Sequence, residues 1–194
     1  MEPLERLQIW YKNQCDGDWE HDFGIKVETL DNPGWSLTID LQSTSLQSVE
    51  FEDQKEISEF DWYHVRVKDW KYVAYGDPSK LNFLITYFLD RIIPKHSDPN
   101  FEYEILVPLY GGPLDVWTMG HARIKNENEF ELIKIESPDS KTMLSTTLDS
   151  VETWIKDFEK FELRHKKGDI VETELVETFQ GTRLGIKKTN SNNV

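Results

Sequence analysis

Thirty-six acidic against 22 basic residues give this 194-residue chain a formal charge of −14, which disfavours nucleic-acid or anionic-membrane binding through simple electrostatics and favours a basic partner. A single cysteine excludes an intramolecular disulfide and a thiolate zinc cage, while seven Trp, seven Tyr and ten Phe exclude a disordered chain and point to an aromatic-rich core. No run nears the roughly 20 apolar residues that span a bilayer, and the opening Met1-Glu2-Pro3-Leu4-Glu5-Arg6 lacks the regions of a secretory signal, so a cytoplasmic protein is expected.

Over 3–14, Leu4, Leu7, Trp10 and Tyr11 fall at the spacing of an amphipathic helix. Phe23, Ile25 and Val27, and then Trp35, Leu37, Ile39 and Leu41, alternate with polar residues as half-buried strands do. Asn32-Pro33-Gly34-Trp35 joins them as a hairpin, with Pro fixing φ and Gly supplying the positive φ of a type II turn. Val49 and Phe51 suggest a third strand, and 62–75 two more that meet near Lys68-Asp69, giving a meander. Asp77-Pro78 offers an N-cap and a first-turn proline to a helix whose apolar face runs through Leu81, Leu84, Ile85, Phe88, Leu89 and Ile92 and which should lie on the sheet. Pro94 to Asn100 reads as a linker. Beyond it, 101–110 is strand-like and Gly111-Gly112-Pro113 breaks it. A hairpin over 116–124 and 129–136 turns at Lys125 to Asn128. Val151, Trp154, Ile155 and Phe158 mark a helix of about 148–163, and Ile170 to Phe179 returns to strand. The expected fold is α+β: antiparallel meander sheets, an N-terminal helix and helices packed on the sheet, arranged as modules over 1–95 and 100–186 with a flexible tail over 187–194.

Two constellations bear on chemistry. Asp16, Asp18 and Glu20 stand where ligands one, three and five of a calcium loop would, but His21 and Val27 occupy the places of its Gly and its final Glu. A looser oxygen site completed by His21 stays open beside a polar loop whose carboxylates accept backbone N–H bonds. Cys15 with His21 has the residue types of a thiol nucleophile and its base, yet the neighbouring carboxylates raise a thiol pKa and repel an anionic intermediate, and a buried, inert thiol is the competing reading. No cofactor is indicated. Glu50, Glu52, Asp53, Glu56, Glu59 and Asp61 surround a lone Lys55; this is a solvated face or the contact for a basic partner, with Phe51, Phe60 and Trp62 as its anchors. His64 and His121 are assigned no role.

Trp10-Tyr11, Gln14-Cys15-Asp16-Gly17-Asp18-Trp19-Glu20-His21, Gly24-Ile25, Thr29-Leu30-Asp31-Asn32-Pro33-Gly34-Trp35 and Asp40-Leu41, in this order and spacing, resemble the immunity protein 53 family of bacterial polymorphic toxin systems. The similarity continues more loosely through Gly76-Asp77-Pro78 to the end of the apolar helix, so it covers about residues 3–93. It marks Cys15, Asp16, Asp18, Trp19, Glu20, His21, Asp31 and Trp35 as family-signature or partner-binding residues. The resemblance implies a cytoplasmic antitoxin that binds and blocks a cognate toxin by stoichiometric occlusion, without catalysis. A general protein-interaction module, or an enzyme built on the Cys15 and His21 loop, are the alternatives that the residues leave open.

Overall fold

The computed structural model of the chain describes residues 1–111, 115–137, 143–145 and 161–188. The chain divides into two compact units, Met1–Tyr11 with Trp19–Phe101, and Lys12–Asp18 with Glu102–Val194. The division differs from a single cut near residue 95, because Lys12–Asp18 counts with the second unit.

In the first unit α1 (Pro3–Lys12) buries Leu7 and Trp10 and leaves Leu4 in solvent, and the single turn α2 (Trp19–Asp22) buries Trp19. Five strands follow: β1 (Ile25–Leu30), β2 (Gly34–Asp40), β3 (Phe51–Ser58), β4 (Asp61–Lys68) and β5 (Lys71–Gly76). They pair antiparallel in the order β1-β2-β5-β4-β3. Only β3-β4-β5 is a true meander; the β1-β2 hairpin is laid along β5, so the sheet's edges are β1 and β3. The register aligns Ile25, Ile39, Tyr72, Val67 and Phe51 in one row across the sheet. Because side chains alternate along a strand, this row and the Leu37, Ala74, Val65 row beside it make one apolar face. Val27 pairs with Leu37 and shares that face, but on the edge strand it stays 46% exposed.

The helical run α3 (Leu81–Tyr87), a π-helical turn (Phe88–Ile92) and α4 (Ile93–His96) packs its buried Leu84, Ile85, Phe88, Leu89 and Ile92 into the same core. Phe88 meets Trp10 edge-on at 5.0 Å between ring centroids and Tyr72 at 5.0 Å. The buried Tyr72 hydroxyl, which would be costly unpaired, donates to the Leu84 carbonyl at 2.7 Å. Pro94 to His96, expected as linker, is helical: Pro94 stands in the first turn of α4, directly after the π-helical turn.

Two local expectations are corrected. Gly34 does not supply a positive φ; it is the first residue of β2, paired with Leu30 across a three-residue turn. Glycine is required there by close approach, since a Cβ would stand 2.6 Å from the Gly76 carbonyl oxygen. Asp77 does not cap α3 either, whose N-cap residue Lys80 makes no side-chain cap bond. It is instead 1% exposed and accepts hydrogen bonds from the Ser79 amide and hydroxyl at 2.8 and 2.6 Å and from the Trp62 amide at 3.1 Å.

The regular elements of the second unit after residue 101 are, among the described residues, strands: β6 (Tyr103–Tyr110), β7 (Val116–Ile124), β8 (Glu129–Ile135), β9 (Leu144–Ser145), β10 (Glu162–Leu163), β11 (Ile170–Thr178) and β12 (Gly181–Ile186). Following pairings, β6-β12-β11-β8-β7 returns from β7 to β6, a closed barrel of five strands, with β10 added on β6 and β9 on β7. Every pairing is antiparallel except β12 with β6, which meet in parallel at Gly185 and Leu106. Closure leaves these five strands without a long free edge. Tyr103 and Phe130, both buried, pack edge-to-face at 5.3 Å.

Residues 148–160 of the helix expected over 148–163 lie outside the described residues, and Glu162 and Leu163 belong to a strand. Of the expected tail, 189–194 lie outside them too, while the Lys187 amide donates to the Glu172 carbonyl at 3.0 Å. Gly111 has φ +89 and ends β6, and 112 and 113 are not among the described residues. Gly181 and Gly185 interrupt the apolar pattern of β12, so alternation does not mark this strand in the sequence.

Candidate functional site

The signature stretch is split between the units. Its first part is a fastening within the second unit. The Cys15 carbonyl accepts from the Leu184 amide at 2.8 Å, Lys12 Nζ donates to the Thr173 carbonyl at 2.9 Å, and Asn13 Nδ2 donates to the Glu127 carbonyl at 3.0 Å. Asp16 Oδ1 accepts from the Asp18 amide at 2.9 Å, an Asx turn that bends the chain. Gly17 carries it through φ +99, and a Cβ there would stand 2.7 Å from Arg183 Nε. Cys15 is 4% exposed, so its sulfur is shielded from reagents and substrates alike. Among the described residues no group of three or more His, Cys, Asp and Glu is placed to hold a metal ion.

The rest of the signature belongs to the first unit. Trp19 is 3% exposed, donates its indole N–H to the Gln42 carbonyl at 2.9 Å and lies edge-on to Trp10 at 6.0 Å. Glu20 and His21 follow it on α2, with His21 exposed. Asp31 Oδ1 accepts from the Asn32 amide at 2.9 Å within the β1–β2 turn, and the Trp35 indole donates to the Pro78 carbonyl at 2.9 Å. Trp19, Asp31 and Trp35 each hold a junction of the backbone in place.

The acidic stretch from Glu50 to Asp61, which carries the β3–β4 hairpin, sorts its six carboxylates. Asp53 accepts from the Tyr87 and Tyr63 hydroxyls at 2.5 and 3.0 Å. The Tyr87 hydrogen bond, with help from Tyr63 and against partial burial, holds the Asp53 carboxyl below its usual range; burial and then Asp53 itself push the Tyr87 phenol well up. Asp61 pairs with Lys80 at 2.7 Å, and Glu52 meets His64 Nε2 at 2.8 Å across the strands. Glu50, Glu56 and Glu59 remain exposed with no hydrogen-bond or ion-pair partner among the described residues. Of the three expected anchors, Phe51 turns inward and packs on Tyr87 and His96, at 6.2 and 5.7 Å, whereas Phe60 is 82% exposed and Trp62 half-buried.

Phe60 and Trp62 line an open groove of about 720 Å³ together with Asn32, Pro33, Gln54, Lys55, Glu56, Glu59, Tyr63 and His64. It unites two stretches that are far apart in sequence, the signature turn and the acidic hairpin. The strand register pairs Gln54 with His64 and Glu56 with Trp62, so these residues share the face opposite the apolar one. That much is readable from alternation along β3 and β4. The nearness of Asn32 and Pro33 is not, because it depends on β2 pairing with β5. Asp77 supports the floor: burial alone would raise its carboxyl, but bonds from Ser79 and the Trp62 amide, and the Lys80 charge, hold it at about 2. Asp77 thereby fixes the backbone of Trp62.

The same stretch, from α1 to the π-helical turn, carries the order of motifs described above. Residues 4–92 match the family model of Immunity protein 53. The matched segment includes the whole sheet of the first unit and the Lys12–Asp18 fastening, and it ends at Ile92. No curated protein and no solved structure matches the chain. The family's name supports a role in toxin immunity at a general level.

Proposed function

We propose that this chain is a cytoplasmic immunity protein that binds its cognate toxin and blocks it by stoichiometric occlusion. The observation that carries the reading is the immunity protein 53 match over residues 4–92. The formal charge of −14 suits a basic protein partner rather than nucleic acid or membrane, because opposite charge speeds encounter and like charge opposes it. Within the first unit, the exposed Phe60 beside Glu56 and Glu59 gives such a partner an apolar anchor with an acidic rim. The reading requires no catalytic group, and the shielding of Cys15 favours it over an enzyme acting through that thiol.

The test is co-expression with the toxin encoded beside this gene. Restored growth and a co-purifying complex of fixed stoichiometry are the expected results. Absence of a toxin gene, together with no protection by this chain, would sink the proposal.

A further inference from the structure

Phe60 is the most exposed aromatic side chain in the hairpin, at 82%, and Ile57 beside it is 61% exposed. Their placement is built: the Phe60 amide donates to Ser58 Oγ at 3.2 Å, and the strand pairing shifts register between Glu56 and Ser58. Next to Phe60 the groove offers the Trp62 indole, two carboxylates without partners among the described residues, Glu56 and Glu59, and the neutral amides of Asn32 and Gln54. Its single lysine, Lys55, is outnumbered by those carboxylates.

Flat aromatic surfaces beside unpartnered carboxylates are the complement of a guanidinium group. Arginine stacks its plane on aromatic rings, gives up hydration more easily than an ammonium, and donates a fork of N–H bonds to carboxylates. A lysine would meet the charge but leave the aromatic faces uncovered. A carboxylate-bearing segment would be repelled.

We propose that this groove receives an arginine of the bound toxin, its guanidinium stacked on Phe60 and Trp62 and hydrogen-bonded to Glu56 and Glu59. The identity of the partner rests on the immunity reading; the chemistry of the groove does not. Two measurements keep these apart. In the first, the isotope-labelled full chain is titrated with acetyl-Gly-Arg-Gly-amide and with its citrulline counterpart, which keeps the shape and removes the charge, while the indole N–H resonances are followed. Selective movement of Trp62, with citrulline at least about tenfold weaker, supports the proposal. No movement of Trp62, or equal effects of the two peptides, overturns it.

In the second, the neighbouring toxin is titrated calorimetrically into wild type, into Phe60→Ala and into the double variant Glu56→Gln, Glu59→Gln. All three side chains are exposed, so the variants should melt as the wild type does. A loss of affinity of about tenfold or more in each is expected. Toxin binding that is unchanged in both variants overturns the groove proposal and leaves the immunity reading intact. A wild-type chain that binds no toxin overturns the immunity reading and the toxin as the arginine's source, and the peptide titration then judges the groove alone.

Discussion

Asp77 links chemistry to stability at a single residue. Its carboxyl titrates at about 2 in the folded chain against the ordinary 3.8, so the folded state holds the proton less tightly. The stabilisation is therefore complete above about pH 4 and is lost as pH falls from there through about 2. Asp77→Asn removes the charge and turns an amide donor toward groups that already donate, at an expected cost of about 2–3 kcal/mol at pH 7. Urea unfolding should show that gap narrowing at pH 2.5, and a gap independent of pH would contradict the assignment. Gly34 is a steric counterpart. With a Cβ 2.6 Å from the Gly76 carbonyl oxygen, Gly34→Ala must push β2 and β5 apart, for about 1–3 kcal/mol of lost stability in the same assay. Both residues were visible in the sequence, but with other reasons attached. Asp-Pro before an apolar run reads as a helix cap, and Pro-Gly as a turn, because local rules do not see the strand that lies alongside.

Between elements, the contact of β3 with the helical run passes through Asp53, Tyr63 and Tyr87. Tyr87→Phe removes the shorter of the two phenol bonds and should cost about 1–2 kcal/mol while moving the Asp53 carboxyl up toward its ordinary value. A carbon-detected titration of Asp53 would show the move; an unshifted Asp53 would mean the bond does not form in solution. The elements themselves were largely legible, since period-two alternation marks β2, β4, β5, β7 and β11 and the 3–4 spacing marks α1 and α3. Pairing order was not. A hairpin followed by a three-strand meander can extend either edge, and the choice of β5 for β2 rests on which apolar rows join, Ile39 with Tyr72 and Leu37 with Ala74. That choice brings Asn32 and Pro33 to the acidic hairpin and so creates the groove.

For the whole chain, the fastening at Lys12–Asp18 has a measurable consequence. Its partners Leu184, Thr173 and Glu127 all lie after residue 101. Cys15 in the full chain should react slowly with a thiol reagent, and a fragment ending at Phe101 should react at a rate near that of a free thiol. Equal rates would show that these bonds do not shield the sulfur. The sequence by itself determined the charge, the aromatic core, most strands, the first helix and the family signature, because each is a property of composition or of local order. Only the tertiary structure decided what the signature residues do. It buried Cys15, gave Asp16 and Asp31 to backbone turns, committed Asp53, Asp61 and Glu52 to Tyr, Lys and His partners, and left Phe60, Glu56 and Glu59 for solvent or a partner. The physical reason is that a side chain's role depends on which donors, rings and charges stand within a few ångströms of it, and long-range strand pairing sets those neighbours.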